Sequence, residues 1–237
     1  MTAALHLDGV SAGYGGVPAV RGLDVELQPG EVLAVLGANG AGKTTTLLAI
    51  VGAIKLLAGS AHAFGNDLGR LRVEQIARLG VGIVPANRGL FPGLTVAEHF
   101  RIAARRREDG PAVDAALQRF PRLRELMSRR CGLLSGGEQQ MLALAKALVG
   151  RPRLLMIDEM SLGLAPMIVQ ALLPTVRSLA DDGMAVVLVE QHIDLALGVA
   201  DQGIVLNHGH VALSGRAAAL RASRDDVELA YFGSAKS

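Results

Sequence analysis

The chain has 237 residues, half of them apolar, which is enough for one well-buried core with a subdomain or two. A net charge of +2, with 24 basic against 22 acidic residues and only 3% aromatic content, argues against a dedicated nucleic-acid surface. The single cysteine, Cys131, cannot form an internal disulfide, and Met1 to Gly9 lacks the basic and apolar regions of a secretory leader, so the expected location is cytoplasmic.

Short alternating segments around Leu5 to Val10 and Leu23 to Leu27, punctuated by Gly13-Tyr14-Gly15-Gly16, predict an antiparallel sheet. Four apolar runs, Val32 to Leu36, Val81 to Val84, Leu154 to Ile157 and Ala185 to Val189, have the length of buried parallel strands, with helical patterns between them. Leu47 to Ala58, interrupted by Gly52 and Lys55, is too short to span a bilayer and reads as a buried helix. From Thr95 to Gly150 the strand signal disappears and alanine, leucine and arginine recur at helical spacing, with Pro111 and Pro121 as breaks. Within that stretch Arg105-Arg106-Arg107 reads as a solvated helix face. No repeat or linker separates independent domains. The expected fold is one α/β domain over 1–237. A mostly parallel core with an antiparallel β part occupies 1–92 and 151–237, and a helical insertion occupies 93–150.

Three motifs carry chemistry. After the strand Glu31 to Leu36, the residues Gly37-Ala38-Asn39-Gly40-Ala41-Gly42-Lys43-Thr44 satisfy the P-loop pattern at every fixed position and open a helix. The glycines let backbone N–H groups converge on phosphate oxygens, Lys43 reaches the β and γ phosphates, and Thr44 reaches magnesium, with Thr45 next to it in the nucleotide site. ATP and Mg2+ are therefore the expected cofactors, on a P-loop NTPase core. The second motif is Leu154 to Glu159, an apolar strand ending in two carboxylates: Asp158 to orient the magnesium shell and Glu159 to polarise the attacking water. The third is Leu134-Ser135-Gly136-Gly137-Glu138-Gln139-Gln140. Ser135 and Glu138 make a capping box, but the paired glycines Gly136 and Gly137 go beyond capping and suit a helix N-terminus pressed onto a phosphate.

With that third motif the chain resembles the ATP-binding-cassette family over essentially its whole length. The resemblance implies that Ser135 to Gly137 contact ATP held by the opposite protomer's P-loop, hence a dimer with a second cassette, identical or not. Ser161-Leu162-Gly163-Leu164-Ala165-Pro166, Val84-Pro85, Arg88, Phe91-Pro92, Leu94-Thr95-Val96 and Ala230-Tyr231-Phe232-Gly233 are most similar to the second ATPase subunit of branched-chain amino-acid importers. Amide, urea and other amino-acid importers are close relatives. The implied partners are integral-membrane permease subunits, docked through Ala86 to Thr95, and indirectly a solute-binding protein. The implied place is the cytoplasmic face of the inner membrane. Tyr14 stands where the family stacks an aromatic ring on adenine, and Ser161 to Ala165 where a loop runs between the two nucleotide sites.

Three positions depart from the family pattern. Met160 replaces a usual proline, which is expected to loosen the turn. Ala86 stands where a glutamine or glutamate senses the γ phosphate, with Asn87 beside it as a possible substitute. Counting back ten residues from Asp201, the switch position falls on Gln191, with His192 one step later. Register favours Gln191. Chemistry favours His192, because imidazole can both donate to phosphate and take up a proton, and on that ground His192 is expected to carry the switch after a one-residue rotation of its loop when ATP closes the dimer. His208 and His210 flank Gly209 in an expected hairpin and are too few for a metal site. Two alternatives stay open: a soluble cassette ATPase outside transport, although its usual second cassette or long coiled-coil insertion does not fit in 237 residues, and a weakly hydrolysing partner subunit.

Overall fold

The computed structural model describes residues 2–104 and 109–233, so the basic run Arg105 to Arg107 lies outside the described residues. The chain opens with β1 (Leu5–Tyr14), β2 (Val17–Leu27), β3 (Val32–Leu36), α1 (Lys43–Ile50), β4 (Leu56–Ala63) and β5 (Asn66–Asp67). It continues through α2 (Val73–Arg78), β6 (Val81–Val84), α3 (Val96–Ala103), α4 (Gly110–Arg119) and α5 (Gly136–Val149). The last part runs β7 (Leu154–Asp158), α6 (Pro166–Asp181), β8 (Ala185–Glu190), α7 (Ile193–Val199), β9 (Gln202–Asn207), β10 (His210–Arg216), α8 (Ala217–Ala222) and α9 (Arg224–Phe232).

All four runs expected as buried strands are strands, parallel and adjacent in the order β3-β8-β7-β6. β9 extends this sheet in parallel on the other side of β3, and β10 closes it antiparallel. The second sheet is antiparallel, in the order β2-β1-β4-β5. Successive side chains of a strand point to opposite faces, so a strand covered on both sides must be apolar throughout. Thus Val32, Ala34 and Leu36 of β3 join a core with α3, α5 and α6, while Leu33 and Val35 join one with the antiparallel sheet. The parallel register sets Leu36 beside Glu190 and Asp158 beside Val189, which brings the C-terminal ends of β3, β7 and β8 to one edge. Ligands of open α/β sheets bind at that edge.

The buried helix expected over Leu47 to Ala58 is corrected. α1 stops at Ile50, and Leu56 to Ala58 belong to β4. Gly52 takes φ +74°, and its N–H donates to the Ala49 carbonyl at 3.1 Å; a side chain would be strained there, so glycine ends the helix despite the apolar residues that follow. Pro111 stands in the first turn of α4, and Pro121 opens a short 3-10 segment, positions where the missing N–H has no helical partner to lose. His208 (φ +47°) and Gly209 (φ +81°) form the tight turn between β9 and β10. Among the described residues no helix is long and apolar enough to cross a membrane.

Candidate functional site

The loop from Gly37 to Gly42 joins β3 to α1 at that strand edge. A Cβ on Gly37 would stand 2.5 Å from the Leu206 carbonyl oxygen, and one on Gly42 would stand 2.8 Å from that of Ala19. Glycine is required at both places because the loop is folded tightly against neighbouring backbone. Lys43, the first residue of α1, has its side chain only 4% exposed. Its Nζ donates to the Gly37 oxygen at 2.8 Å and the Ala38 oxygen at 3.1 Å, and pairs with Glu159 Oε1 at 3.4 Å. The ammonium is thus poised at the mouth of the loop, held by groups that incoming phosphate oxygens can replace.

Thr44 Oγ1 donates to Asp158 Oδ2 at 2.9 Å, joining the P-loop helix to the end of β7. The other oxygen, Asp158 Oδ1, is buried with no hydrogen-bond partner among the described residues. Burial pushes the Asp158 carboxyl above its ordinary pKa; the Thr44 hydrogen bond opposes that, and the neighbouring Glu159 charge adds to it. Thr45 is buried within α1. Glu159 turns the chain at φ +47°, its N–H donating to the Val189 carbonyl at 2.9 Å.

Gln191 completes the cluster. Its Nε2 donates to Glu159 Oε1 and to Asn39 Oδ1, each at 2.9 Å, spanning the carboxylate and the P-loop. His192 is exposed at the start of α7, and its side chain makes no capping hydrogen bond among the described residues. In this nucleotide-free arrangement β8 ends at Glu190 and the next side chain, that of Gln191, falls on the nucleotide edge, as strand register expects.

Ser135 caps α5: Glu138 N–H donates to Ser135 Oγ at 3.2 Å, and Ser135 N–H to Glu138 Oε2 at 2.9 Å. Gly136 and Gly137 have a packing role as well, since added Cβ atoms would lie 2.9 Å from Leu164 Cδ2 and 2.7 Å from Ile168 Cγ2. No hydrogen bond or ion pair joins Ser135, Gly136 or Gly137 to the P-loop among the described residues. Tyr14, at the end of β1, is 56% exposed. Tyr231 and Phe232 of α9 line a small hollow of about 160 Å³ with Ala38 to Ala41. Burial raises the Tyr231 pKa, and the Glu159 charge adds to the rise.

Ala86 carries no polar side chain, and the neighbouring Asn87 is exposed, its Oδ1 accepting from Gly89 N–H at 3.1 Å. Arg88 is the polar residue that reaches inward. It donates to Gln139 Oε1 at 2.8 Å, Gln140 Oε1 at 3.2 Å and the Leu162 carbonyl at 3.2 Å. Met160 is wholly buried, and the turn around it is held by Glu190, which accepts from Ser161 N–H at 2.9 Å and Ser161 Oγ at 2.6 Å. Sequence reasoning assigned nothing to Glu190, or to His99, a buried ring whose Nε2 accepts from Phe91 N–H at 2.9 Å. Glu190 was visible as an acidic residue closing an apolar run.

A profile of the family described as "ABC transporter" matches residues 20–161. The high-affinity branched-chain amino acid transport ATP-binding protein BraG of Pseudomonas aeruginosa is 39% identical over 232 residues, 97% of this chain and 99% of that protein. The probable branched-chain amino acid transport ATP-binding protein LivF of Archaeoglobus fulgidus is 36% identical over 88% of this chain and 90% of its own length. Among solved structures, the ADP conformation of MJ1267, an ATP-binding cassette of an ABC transporter, matches with a TM-score of 0.88. It is 22% identical and covers 98% of this chain and 100% of that one, a likeness of fold. With the P-loop, the paired carboxylates and the capped glycine motif in place, the chain belongs to the ABC transporter family and is one of its ATPase cassettes.

Proposed function

We propose that this cassette binds ATP with Mg2+ and hydrolyses it to drive import of branched-chain or related amino acids. The observation that carries the hydrolytic reading is the cluster Lys43, Glu159, Gln191 and Asn39, with contacts of 2.9 to 3.4 Å at the shared strand edge. The amino-acid reading is supported by the likeness to BraG over nearly the full length of both chains.

In this reading ATP phosphates displace Gly37, Ala38 and Glu159 from Lys43, which frees the Glu159 carboxylate. Glu159 then accepts a hydrogen bond from a water, aligned in line with the γ phosphorus and opposite the bridging oxygen. Water oxygen bonds to phosphorus as the bond to the β-phosphate oxygen breaks, leaving ADP and inorganic phosphate. Gln191 holds Glu159 in place while that geometry forms. Thr44 Oγ1 and the orphaned Asp158 Oδ1 form a hard-oxygen set that fits magnesium, and the ion would neutralise phosphate charge there.

Because no hydrogen bond joins Ser135, Gly136 or Gly137 to their own P-loop among the described residues, the site is completed by the same segment of a second cassette, and Tyr14 stacks on adenine. Residues 93–150 act as the helical subdomain. Permease subunits dock along Ala86 to Thr95, where Phe91 and, close by, Leu133 are exposed, on the cytoplasmic face of the inner membrane. A solute-binding protein delivers the amino acid on the opposite side. The bare Ala86 keeps a second reading, a partner subunit with weak turnover. Purifying the chain with its native membrane partners tests the assignment. Co-purifying permeases and ATP-dependent leucine uptake in proteoliposomes are expected; stable isolation without any membrane protein would overturn the transport reading.

A further inference from the structure

Glu190 is a carboxylate inside the protein, 1% exposed, and the hydrolytic chemistry makes no use of it. A buried carboxylate is costly unless its oxygens are hydrogen-bonded. Here two donors converge: Ser161 N–H on one oxygen at 2.9 Å and Ser161 Oγ on the other at 2.6 Å. The linked residues are placed tellingly in sequence. Ser161 lies two residues after Glu159, and Gln191 lies one after Glu190. Since Gln191 Nε2 also donates to Glu159 Oε1 at 2.9 Å, the ends of β7 and β8 are joined through side chains at two places, beside the backbone bond from Glu159 N–H to Val189, forming a closed ring through Glu159, Met160, Ser161, Glu190 and Gln191. Met160 is 0% exposed, so the backbone between the two points is fixed by packing. On the outer side, Arg88 grips the next residue by the Leu162 carbonyl at 3.2 Å, while the Leu162 side chain stands 52% exposed.

We propose that Glu190 is a positioning residue: by latching Ser161, it ties the exposed turn at Leu162 to the Glu159–Gln191 contact, so that whatever engages the turn sets the hydrolytic geometry. The inference deepens the proposed function, resting on Glu159 as the water-orienting carboxylate and on the turn meeting a second cassette. Glu190 is enclosed and bonded to Ser161 rather than to Lys43, Thr44 or the P-loop backbone, so its loss should alter turnover and leave ATP capture intact.

The test is steady-state ATPase of the assembled transporter, with ATP affinity measured separately. Glu190→Ala should lower kcat about tenfold or more while KM and Kd for ATP stay within about twofold, the pattern of a lost transition-state contact. Glu190→Gln offers Ser161 an acceptor and a donor of the same shape and should restore most of the rate. Glu190→Ala combined with Ser161→Ala should be no slower than Glu190→Ala alone, because both remove one latch. A normal kcat in Glu190→Ala, a rise in KM at constant kcat, a Gln variant as slow as the Ala variant, or effects that multiply would each overturn the proposal. Should Glu190→Ala melt early, Ser161→Ala decides: a rate at least about threefold lower at unchanged KM supports the latch, and a normal rate refutes it. Glu159→Gln runs alongside; normal hydrolysis there would sink the reading of Glu159 by itself, whatever Glu190 does.

Discussion

Gln191→Ala against His192→Ala separates strand register from side-chain chemistry. Gln191 loses two hydrogen bonds of 2.9 Å on truncation, one of them to the Glu159 carboxylate. A hydrogen bond to a charged group is worth about 1.5–3 kcal/mol, which at 1.36 kcal/mol per factor of ten corresponds to a fall in kcat of roughly 10- to 150-fold. His192 is exposed and makes no capping hydrogen bond among the described residues, so its truncation should change kcat by less than about threefold. The assay is phosphate release against ATP concentration in the assembled transporter, with calorimetric ATP titrations to confirm unchanged binding. A slow His192 variant beside a normal Gln191 variant would refute the reasoning and require the loop to rotate by one residue when nucleotide binds.

Two further outcomes follow from the same geometry. Ser135→Arg should abolish cooperative hydrolysis in the assembled pair while the chain's own ATP affinity holds, since among the described residues Ser135 makes no hydrogen bond to its own P-loop; a normal ATPase rate would remove the cross-subunit site. Asp158→Asn should stop hydrolysis yet stabilise the nucleotide-free protein. Burial holds the Asp158 pKa above its unfolded value, so across that interval the folded chain binds more protons than the unfolded one, and this carboxyl's contribution to stability falls as pH rises. An amide escapes that penalty and still accepts from Thr44. A gain of about 1 kcal/mol would raise Tm near neutral pH by roughly 2–4 °C by scanning calorimetry, and a lower Tm would contradict the assignment.

The parallel strands were legible because burial on both faces forces unbroken apolar runs, as in Val32 to Leu36. The P-loop, Asp158 and Glu159 were legible because phosphate and metal chemistry admit few residue types at fixed spacing. Helix length in Leu47 to Ala58 was not, since one left-handed glycine outweighed the apolar signal. Between Gln191 and His192, strand register and side-chain chemistry point to different neighbours, and the nucleotide-free structure places Gln191 against Glu159 and Asn39. Glu190 escaped notice because its role depends on Ser161, 29 residues away in sequence. The paired glycines of the third motif were assigned to phosphate contact alone, whereas Leu164 and Ile168 also demand their missing side chains.

The most direct test of the central claim is Glu159→Gln in the assembled transporter, followed by phosphate release and by size-exclusion of the purified cassette in ATP and magnesium. The amide keeps the shape of Glu159 but cannot accept a proton from water. The account predicts ATP affinity preserved, hydrolysis slowed by about a hundredfold or more, and a cassette pair trapped around unhydrolysed ATP. Hydrolysis at the normal rate would contradict it and place the chemistry elsewhere.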